Sequence, residues 1–150
     1  MGFIGNGSST LLLMKKVAAD ASIIVKWFLE EKFSDEALKL RNDYIKGKII
    51  IAVPSLLEYE VLNVLKYGNV YDIDELKEIG EALNKYGFET YELEGELKKL
   101  TIESALRNKL TIYDASYVAL AKQLNTTLYT ADEELIEKFP EIAKHVKHYS

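Results

Sequence analysis

The sequence predicts an α/β protein, a three-layer α/β/α sandwich around a mainly parallel central sheet. Short apolar and β-branched runs alternate along the chain with longer segments whose apolar residues recur at helical spacing. Alternation of this kind is typical of a parallel sheet with helices on both faces. No repeat with a period of about 20–50 residues is present, which excludes a solenoid.

Five segments are predicted to be β-strands because they are short and apolar or β-branched. In chain order they are KKVAAD, KIIIAVP, FETYEL, TTLYT and KHVKHYS. The first ends at Asp20, the second ends at Pro54, and the last is expected at an edge of the sheet.

The intervening segments are predicted to be helices, since they combine apolar periodicity with capping residues or a closing glycine. After a helix-like stretch that follows Asp20, they are SDEALKLRNDYIKG, SLLEYEVLNVLKYG, DIDELKEIGEALNKYG, EGELKKLTIESALRNK, LTIYDASYVALAKQLN and ADEELIEKF. Ser34 is the expected N-cap of the first of these six, and Asp72 with Glu75 has the spacing of a capping box.

The length and hydropathy of the chain indicate a single globular domain. We expect residues 1–13 to be a disordered extension and residues 14–150 to form that domain, since 150 residues suffice for one core. No apolar run approaches the roughly 20 residues that a membrane span needs. The absence of cysteine suits a reducing cytoplasm.

The composition also limits the chemistry that is available. Without cysteine, zinc-thiolate sites and thiol nucleophiles are excluded, and both histidines, His145 and His148, lie in the last six residues. Carboxylates are therefore the main chemical resource. The net charge of −5 argues against a simple electrostatic nucleic-acid binder, unless bound cations supply the missing positive charge.

Three acids lie where predicted strands end or helices begin. Asp20 follows the first strand, Asp114 lies in the opening turn of a late helix, and Asp132 follows the LYT segment. Each also has a purely structural interpretation. Asp20 suits an N-cap, Asp114 fits a capping box with Thr111, and either Asp132 or Thr130 suits the cap of the last helix. The carboxyl ends of parallel strands, however, border the functional crevice of such sheets.

Glu60 lies in the middle of a helix, where capping does not explain it. Asn63 follows at i+3 and shares its face. The predicted core stripe of this helix consists of Leu57, Val61, Val64 and Leu65. Glu60 and Asn63 border that stripe, although a solvated helix edge is the alternative. Glu58 lies about 200° from Glu60 around the helix, so both cannot face one site.

The order of these acids resembles the PIN-domain nucleases and, within them, the VapC-type toxins of toxin–antitoxin pairs. The matching segments are DASIIVKWFLEE, VPSLLEYEVLNVL and LTIYDASYVALAKQLNTTLYTADEEL. The resemblance covers about residues 15–148 and implies a PIN-like fold. It implies four catalytic, metal-binding acids, Asp20, Glu60, Asp114 and Asp132. It also implies three supporting polar residues, Ser22, Asn63 and Thr130.

This resemblance implies a ribonuclease that hydrolyses phosphodiester bonds in RNA with Mg²⁺ or Mn²⁺. Such toxins are cytoplasmic, commonly form homodimers, and are held inactive by a cognate VapB-type antitoxin. Hard divalent ions prefer oxygen ligands, which matches a set of carboxylates. Lys26, Arg107 and Lys109 lie near the motifs and are candidate contacts to the phosphate backbone.

Other functions remain open at the level of sequence. The chain could be a PIN-like housekeeping RNA-processing nuclease or a non-catalytic binding or regulatory module. A phosphoryl-transfer or receiver-type acid-cluster domain is disfavoured. A phosphatase of the haloacid dehalogenase type would need D-x-D after its first strand, and this chain has Asp20-Ala-Ser22 there.

Overall fold

The computed structural model describes residues 14–150, and the extension expected at residues 1–13 lies outside them. Within the described part, five parallel strands form one sheet in the order β3-β2-β1-β4-β5. The strands are β1 Lys15–Ala19, β2 Ile49–Pro54, β3 Glu89–Tyr91, β4 Leu128–Thr130 and β5 Ala143–His145. The predicted parallel sheet is confirmed, with β1 at its centre.

Seven α-helices cover this sheet in the described part of the chain. They are α1 Ala21–Val25, α2 Ser34–Ile45, α3 Leu57–Gly68, α4 Ile73–Lys85, α5 Gly95–Asn108, α6 Ile112–Leu124 and α7 Glu133–Lys138. No helix within residues 14–150 has the length and apolar character needed to cross a membrane.

Both faces of the sheet are buried. On β2, Ile51 and Val53 belong to a large apolar cluster to which α1, α2, α3 and α4 contribute. Ala52, between them, packs instead with Leu97 of α5 and Leu120 of α6. Successive side chains of a strand point to opposite faces, so this alternation places apolar side chains on both sides of the sheet. The predicted α/β/α arrangement is confirmed.

The chain order of the strands locates the crevice of the sheet. From the central β1 the chain builds outward through β2 and β3, and then crosses to the other side of β1 to form β4. A reversal of this kind separates the loops at the carboxyl ends of two neighbouring strands and opens a crevice there. Ala19 of β1 is in register with Tyr129 of β4, so Asp20 and Thr130 emerge side by side.

Two local predictions were wrong. Ser34 is the first residue of α2, and Phe33, with a left-handed φ of 70°, precedes it as the N-cap. The Ser34 hydroxyl closes the preceding turn instead, since it accepts from the Glu31 amide and donates to the Leu29 carbonyl. The last strand lies at the edge of the sheet as predicted, but it spans Ala143–His145 rather than the KHVKHYS segment, because its partner β4 ends at Thr130, opposite His145.

Candidate active site at the carboxyl end of the sheet

The structure brings the four predicted acids to one cavity. Asp20, Glu60, Asp114 and Asp132 all line a cavity of about 300 Å³ beyond the carboxyl ends of β1 and β4. They come from four separate parts of the chain: the end of β1, the first turn of α3, the first turn of α6 and the residue before α7. The prediction that Glu60 lies in the middle of its helix was therefore wrong, because α3 begins only at Leu57. Larger cavities exist elsewhere, such as one of about 590 Å³ lined by Lys15 and Lys16, but the four predicted acids meet in this one.

Asp20 is both a helix cap and a buried cavity residue. It is the N-cap of α1 and only 7% exposed. One carboxylate oxygen accepts from the amide and the hydroxyl of Ser22, and the other accepts from the Thr130 hydroxyl at 2.5 Å. Both interpretations of Asp20 therefore hold at once, because the cap lies at the floor of a crevice rather than at the surface.

Burial dominates the electrostatics of Asp20. Desolvation raises its pKa to about 6, against the opposing effect of the hydrogen bonds from Ser22 and Thr130. The negative charges of Asp114 and Asp132 raise the pKa further. The site therefore holds the Asp20 carboxylate at an energetic cost that a cation could remove.

Two hydroxyl groups join the turn after β1 to the turn after β4. The Thr130 hydroxyl, besides donating to Asp20, accepts from the Asp132 amide at 2.9 Å. The Ser22 hydroxyl accepts from the Ala131 amide at 3.0 Å. Asp132 is the N-cap of α7, since its side chain accepts from the Glu134 amide. Of the two residues predicted as possible caps of this helix, Asp132 is the N-cap, whereas Thr130 contacts Asp20.

Asp114 lies in the first turn of α6 without closing a capping box. The Thr111 hydroxyl accepts from the Asp114 amide at 3.0 Å, which makes Thr111 the N-cap. The Asp114 carboxylate lines the cavity. Partial burial raises its pKa, and the neighbouring charge of Asp132 raises it further.

Glu60 is positioned by a residue that the sequence did not identify as functional. The Tyr117 hydroxyl donates to a Glu60 carboxylate oxygen at 2.7 Å. Burial raises the pKa of Glu60, while this hydrogen bond lowers it. Tyr117 is buried, and burial together with the Glu60 charge raises its own pKa. The spacing in the sequence could have indicated Tyr117, because it follows Asp114 at i+3 and therefore shares its helix face.

One other prediction for this region was wrong, and three residues with expected supporting or phosphate-binding roles lie outside the cavity lining. Val64 is 45% exposed and lines the cavity instead of the core, because it follows Glu60 at i+4 and shares its face. Asn63 is exposed and does not line the cavity. Arg107 and Lys109 are also exposed and away from the cavity lining, whereas Lys26 does line it.

The donor set fits a hard divalent cation. No group of three or more acidic or histidine side chains in residues 14–150 is arranged to hold a metal ion directly. Mg²⁺, however, usually takes one or two carboxylates and completes its shell with waters and substrate phosphates. Burial raises the pKa of three of the cavity acids, and neighbouring carboxylates raise it further. A cation would relieve this unfavourable charge.

The fold and the site together define an α/β/α domain with four carboxylates gathered at the carboxyl edge of its parallel sheet. A sequence model of the PIN domain matches residues 17–143. Ribonuclease VapC3 of Pyrobaculum aerophilum is 30% identical over 135 residues, which cover 83% of this chain and 95% of that protein. The chain belongs to the PIN domain family.

Solved structures share the fold. PAE2754 from Pyrobaculum aerophilum has a TM-score of 0.64 at 24% identity, over 89% of this chain and 85% of that one. A toxin–antitoxin complex from Klebsiella pneumoniae has a TM-score of 0.63 at 16% identity, and the match covers 87% of this chain and 97% of that one. VapBC2 from Rickettsia felis, bound to a DNA fragment from its promoter, has a TM-score of 0.60 at 15% identity. The match covers 87% of this chain and 98% of that one.

Replacing Asp20 by asparagine should stabilise the metal-free protein at neutral pH. The pKa of Asp20 rises from 3.8 to about 6 on folding, so the folded state holds this proton more tightly than the unfolded chain. The free energy of unfolding therefore falls by about 3 kcal/mol as pH rises through this window. Asp20→Asn removes that loss. Urea denaturation in EDTA should show a stability gain at neutral pH that shrinks toward pH 3.8.

Asp35→Asn is the matched control, since Asp35 is an exposed acid in the first turn of α2. It should change the stability by no more than about 0.5 kcal/mol at either pH. A loss of stability in Asp20→Asn that is the same at both pH values would show that hydrogen bonding, rather than desolvation, dominates at Asp20.

Tyr117→Phe should loosen Glu60 without disturbing the packing around the ring. Loss of a hydrogen bond to a charged group costs about 1.5–3 kcal/mol, and the partial exposure of Glu60 puts the expected loss at the lower end. The pKa of Glu60 should rise further, because this bond lowers it. Denaturation and NMR titration of the glutamate carboxyl carbons measure both effects.

Tyr113→Phe is the control for this variant, because Tyr113 lies on the same helix with its side chain exposed. An equal effect of the two substitutions on the Glu60 titration would rule out a specific role for the Tyr117 hydroxyl.

Proposed function

We propose that this protein is a metal-dependent ribonuclease that hydrolyses phosphodiester bonds in RNA, and that it is the toxin of a VapBC-type toxin–antitoxin pair. The observation that carries the proposal is the meeting of Asp20, Glu60, Asp114 and Asp132 in one cavity of a PIN domain. The similarity to ribonuclease VapC3 along most of both chains supports the same activity.

The residues around the cavity have different roles in holding a cation. Ser22 and Thr130 fix the Asp20 carboxylate from two sides, and Tyr117 fixes Glu60. Asp114 and Asp132 complete the acidic lining. A bound Mg²⁺ or Mn²⁺ would supply the activation of water for attack on the phosphodiester and the stabilisation of charge on the leaving oxygen.

The chemistry of the cavity favours hydrolysis without a covalent intermediate. The sequence contains no cysteine, and His145 does not line the cavity within the described residues. Five of the eleven residues that line the cavity are acids, whose carboxylates suit cation binding and proton acceptance. An RNA strand would approach a site whose negative charge is offset by the cation, with unpaired bases free to splay.

The partners belong to the same proposal. We infer a homodimer in the cytoplasm whose cavity is covered by a VapB-type antitoxin until release. Such contacts have apolar surface available, because apolar side chains are exposed on α3, at the start of α4, on α5 and on α6. They include Tyr59, Tyr67, Ile73, Leu106 and Tyr113. The toxin–antitoxin complexes among the solved structures of this fold support an antitoxin as the partner.

Cleavage of a mixed RNA pool tests the activity directly. Wild-type protein should cleave with Mn²⁺ and lose activity in EDTA. Asp114→Asn and Glu60→Gln should each reduce the rate by at least about 100-fold, the upper range for residues that only support metal ligands. Electrophoresis of end-labelled RNA over time provides the rates.

Glu58→Gln is the matched control, because Glu58 is an exposed acid on the same helix as Glu60 and does not line the cavity. It should retain wild-type activity. Cleavage that persists in EDTA and in Asp114→Asn, or an equal loss in Glu58→Gln, would contradict the proposed reaction.

A further inference from the structure

One lysine lines the acidic cavity and has no part in holding the proposed cation. Lys26 is the C-cap that follows α1, and its side chain is only 10% exposed. Among the residues in the described chain that line the cavity, it is the single positive side chain, beside five acids. These acids are Asp20, Glu31, Glu60, Asp114 and Asp132.

Lys26 is paired with an acid that is far more accessible than itself. Its ammonium group donates to a Glu31 carboxylate oxygen at 2.9 Å, and the Glu31 side chain is 41% exposed. An ammonium group has three N–H donors. In residues 14–150, Glu31 is the one group to which the Lys26 ammonium group donates, so two of its N–H donors remain for a ligand in the cavity.

The two members of this pair respond differently when it opens. Glu31 can regain hydration at the surface, whereas a nearly buried ammonium group left without an anion is strongly unfavourable. Lys26 can therefore leave Glu31 only if another anion replaces it. Phosphate oxygens are suitable replacements, since lysine binds them as a point charge.

We propose that Lys26 binds a phosphate group of the RNA strand in the cavity and that Glu31 holds this lysine in place until the strand arrives. This inference rests on the proposed ribonuclease function, because it requires RNA in the cavity. The exchange moves the lysine from one anion to another, so no buried charge is left uncompensated. Glu31 thereby competes with the substrate for Lys26.

The exchange predicts opposite effects for the two partners. Lys26→Met keeps an unbranched apolar stem and removes the charge, so RNA binding should weaken about 10-fold, the loss expected for one charge-assisted hydrogen bond. The dependence of log affinity on log salt should become less steep by about 0.7, the value for one phosphate contact on a single strand. Glu31→Gln should tighten binding by up to about 5-fold, as expected for the release of a half-exposed ion pair.

Fluorescence anisotropy with a fluorescein-labelled single-stranded RNA of random sequence measures these effects over a series of salt concentrations. The measurements use full-length protein with Mg²⁺ in an Asp114→Asn background, so that the RNA stays intact. Lys99→Met and Glu96→Gln are the control pair, because their ion pair is exposed and lies outside the cavity. Neither control should change the affinity or the salt slope appreciably.

Unchanged affinity and slope in Lys26→Met would overturn the proposal. So would weakened binding in Glu31→Gln, which would make the pair purely structural. If circular dichroism shows that Lys26→Met does not fold, Glu31→Gln decides, since glutamine can still accept the hydrogen bond from Lys26. Cleavage by wild-type protein is scored separately. If the wild-type protein cleaves RNA but Lys26→Met binds RNA normally, only the role proposed for Lys26 is wrong. If the wild-type protein neither binds nor cleaves RNA, the proposed ribonuclease function is wrong as well.

Discussion

The burial of the Asp20 carboxylate is the interaction on which the rest of the site depends. Asp20 ends the central strand, caps α1, and accepts hydrogen bonds from Ser22 and from Thr130, more than a hundred residues later. Ser22 and Thr130 in turn bind the backbone that leads to Asp132. A parallel sheet needs long crossovers between strands, so distant parts of the chain must be joined at its carboxyl edge. Here the Asp20 carboxylate and the hydroxyl groups of Ser22 and Thr130 connect them through hydrogen bonds.

The same arrangement creates an electrostatic problem. Asp20, Glu60 and Asp114 all have raised pKa values, since each is partly or fully removed from water and close to other acids. Clustered carboxylates of this kind oppose folding unless a cation neutralises them. The protein supplies partial relief through hydrogen-bond donors such as the Tyr117 hydroxyl. The hydrogen bonds offset only part of this electrostatic cost, which is the physical basis for proposing that a cation binds in the cavity.

Local signals allowed most of the fold to be predicted, and tertiary contacts explain what the sequence could not reveal. The β-branched run of β2 and the capping box at Asp72 are visible in a few adjacent residues, and both predictions are confirmed. Val64 was placed in the core because helical periodicity cannot tell a buried face from one that faces a cavity. Tyr117 was missed because its partner Glu60 is 57 positions away. Ser34 was misplaced because its hydroxyl bonds to the preceding turn.

The central proposal is that a divalent cation binds in this cavity, held directly by one or two of the four carboxylates. Anomalous diffraction from crystals grown with Mn²⁺ tests it most directly, because the scattering of manganese locates the ion without reference to activity. The expected result is an anomalous peak within the cavity, with a carboxylate oxygen of Asp20 or Asp114 at a coordination distance of about 2.0–2.3 Å, typical of small divalent ions. Density maps that place manganese only at surface carboxylates, with the cavity empty at saturating metal, would contradict the claim.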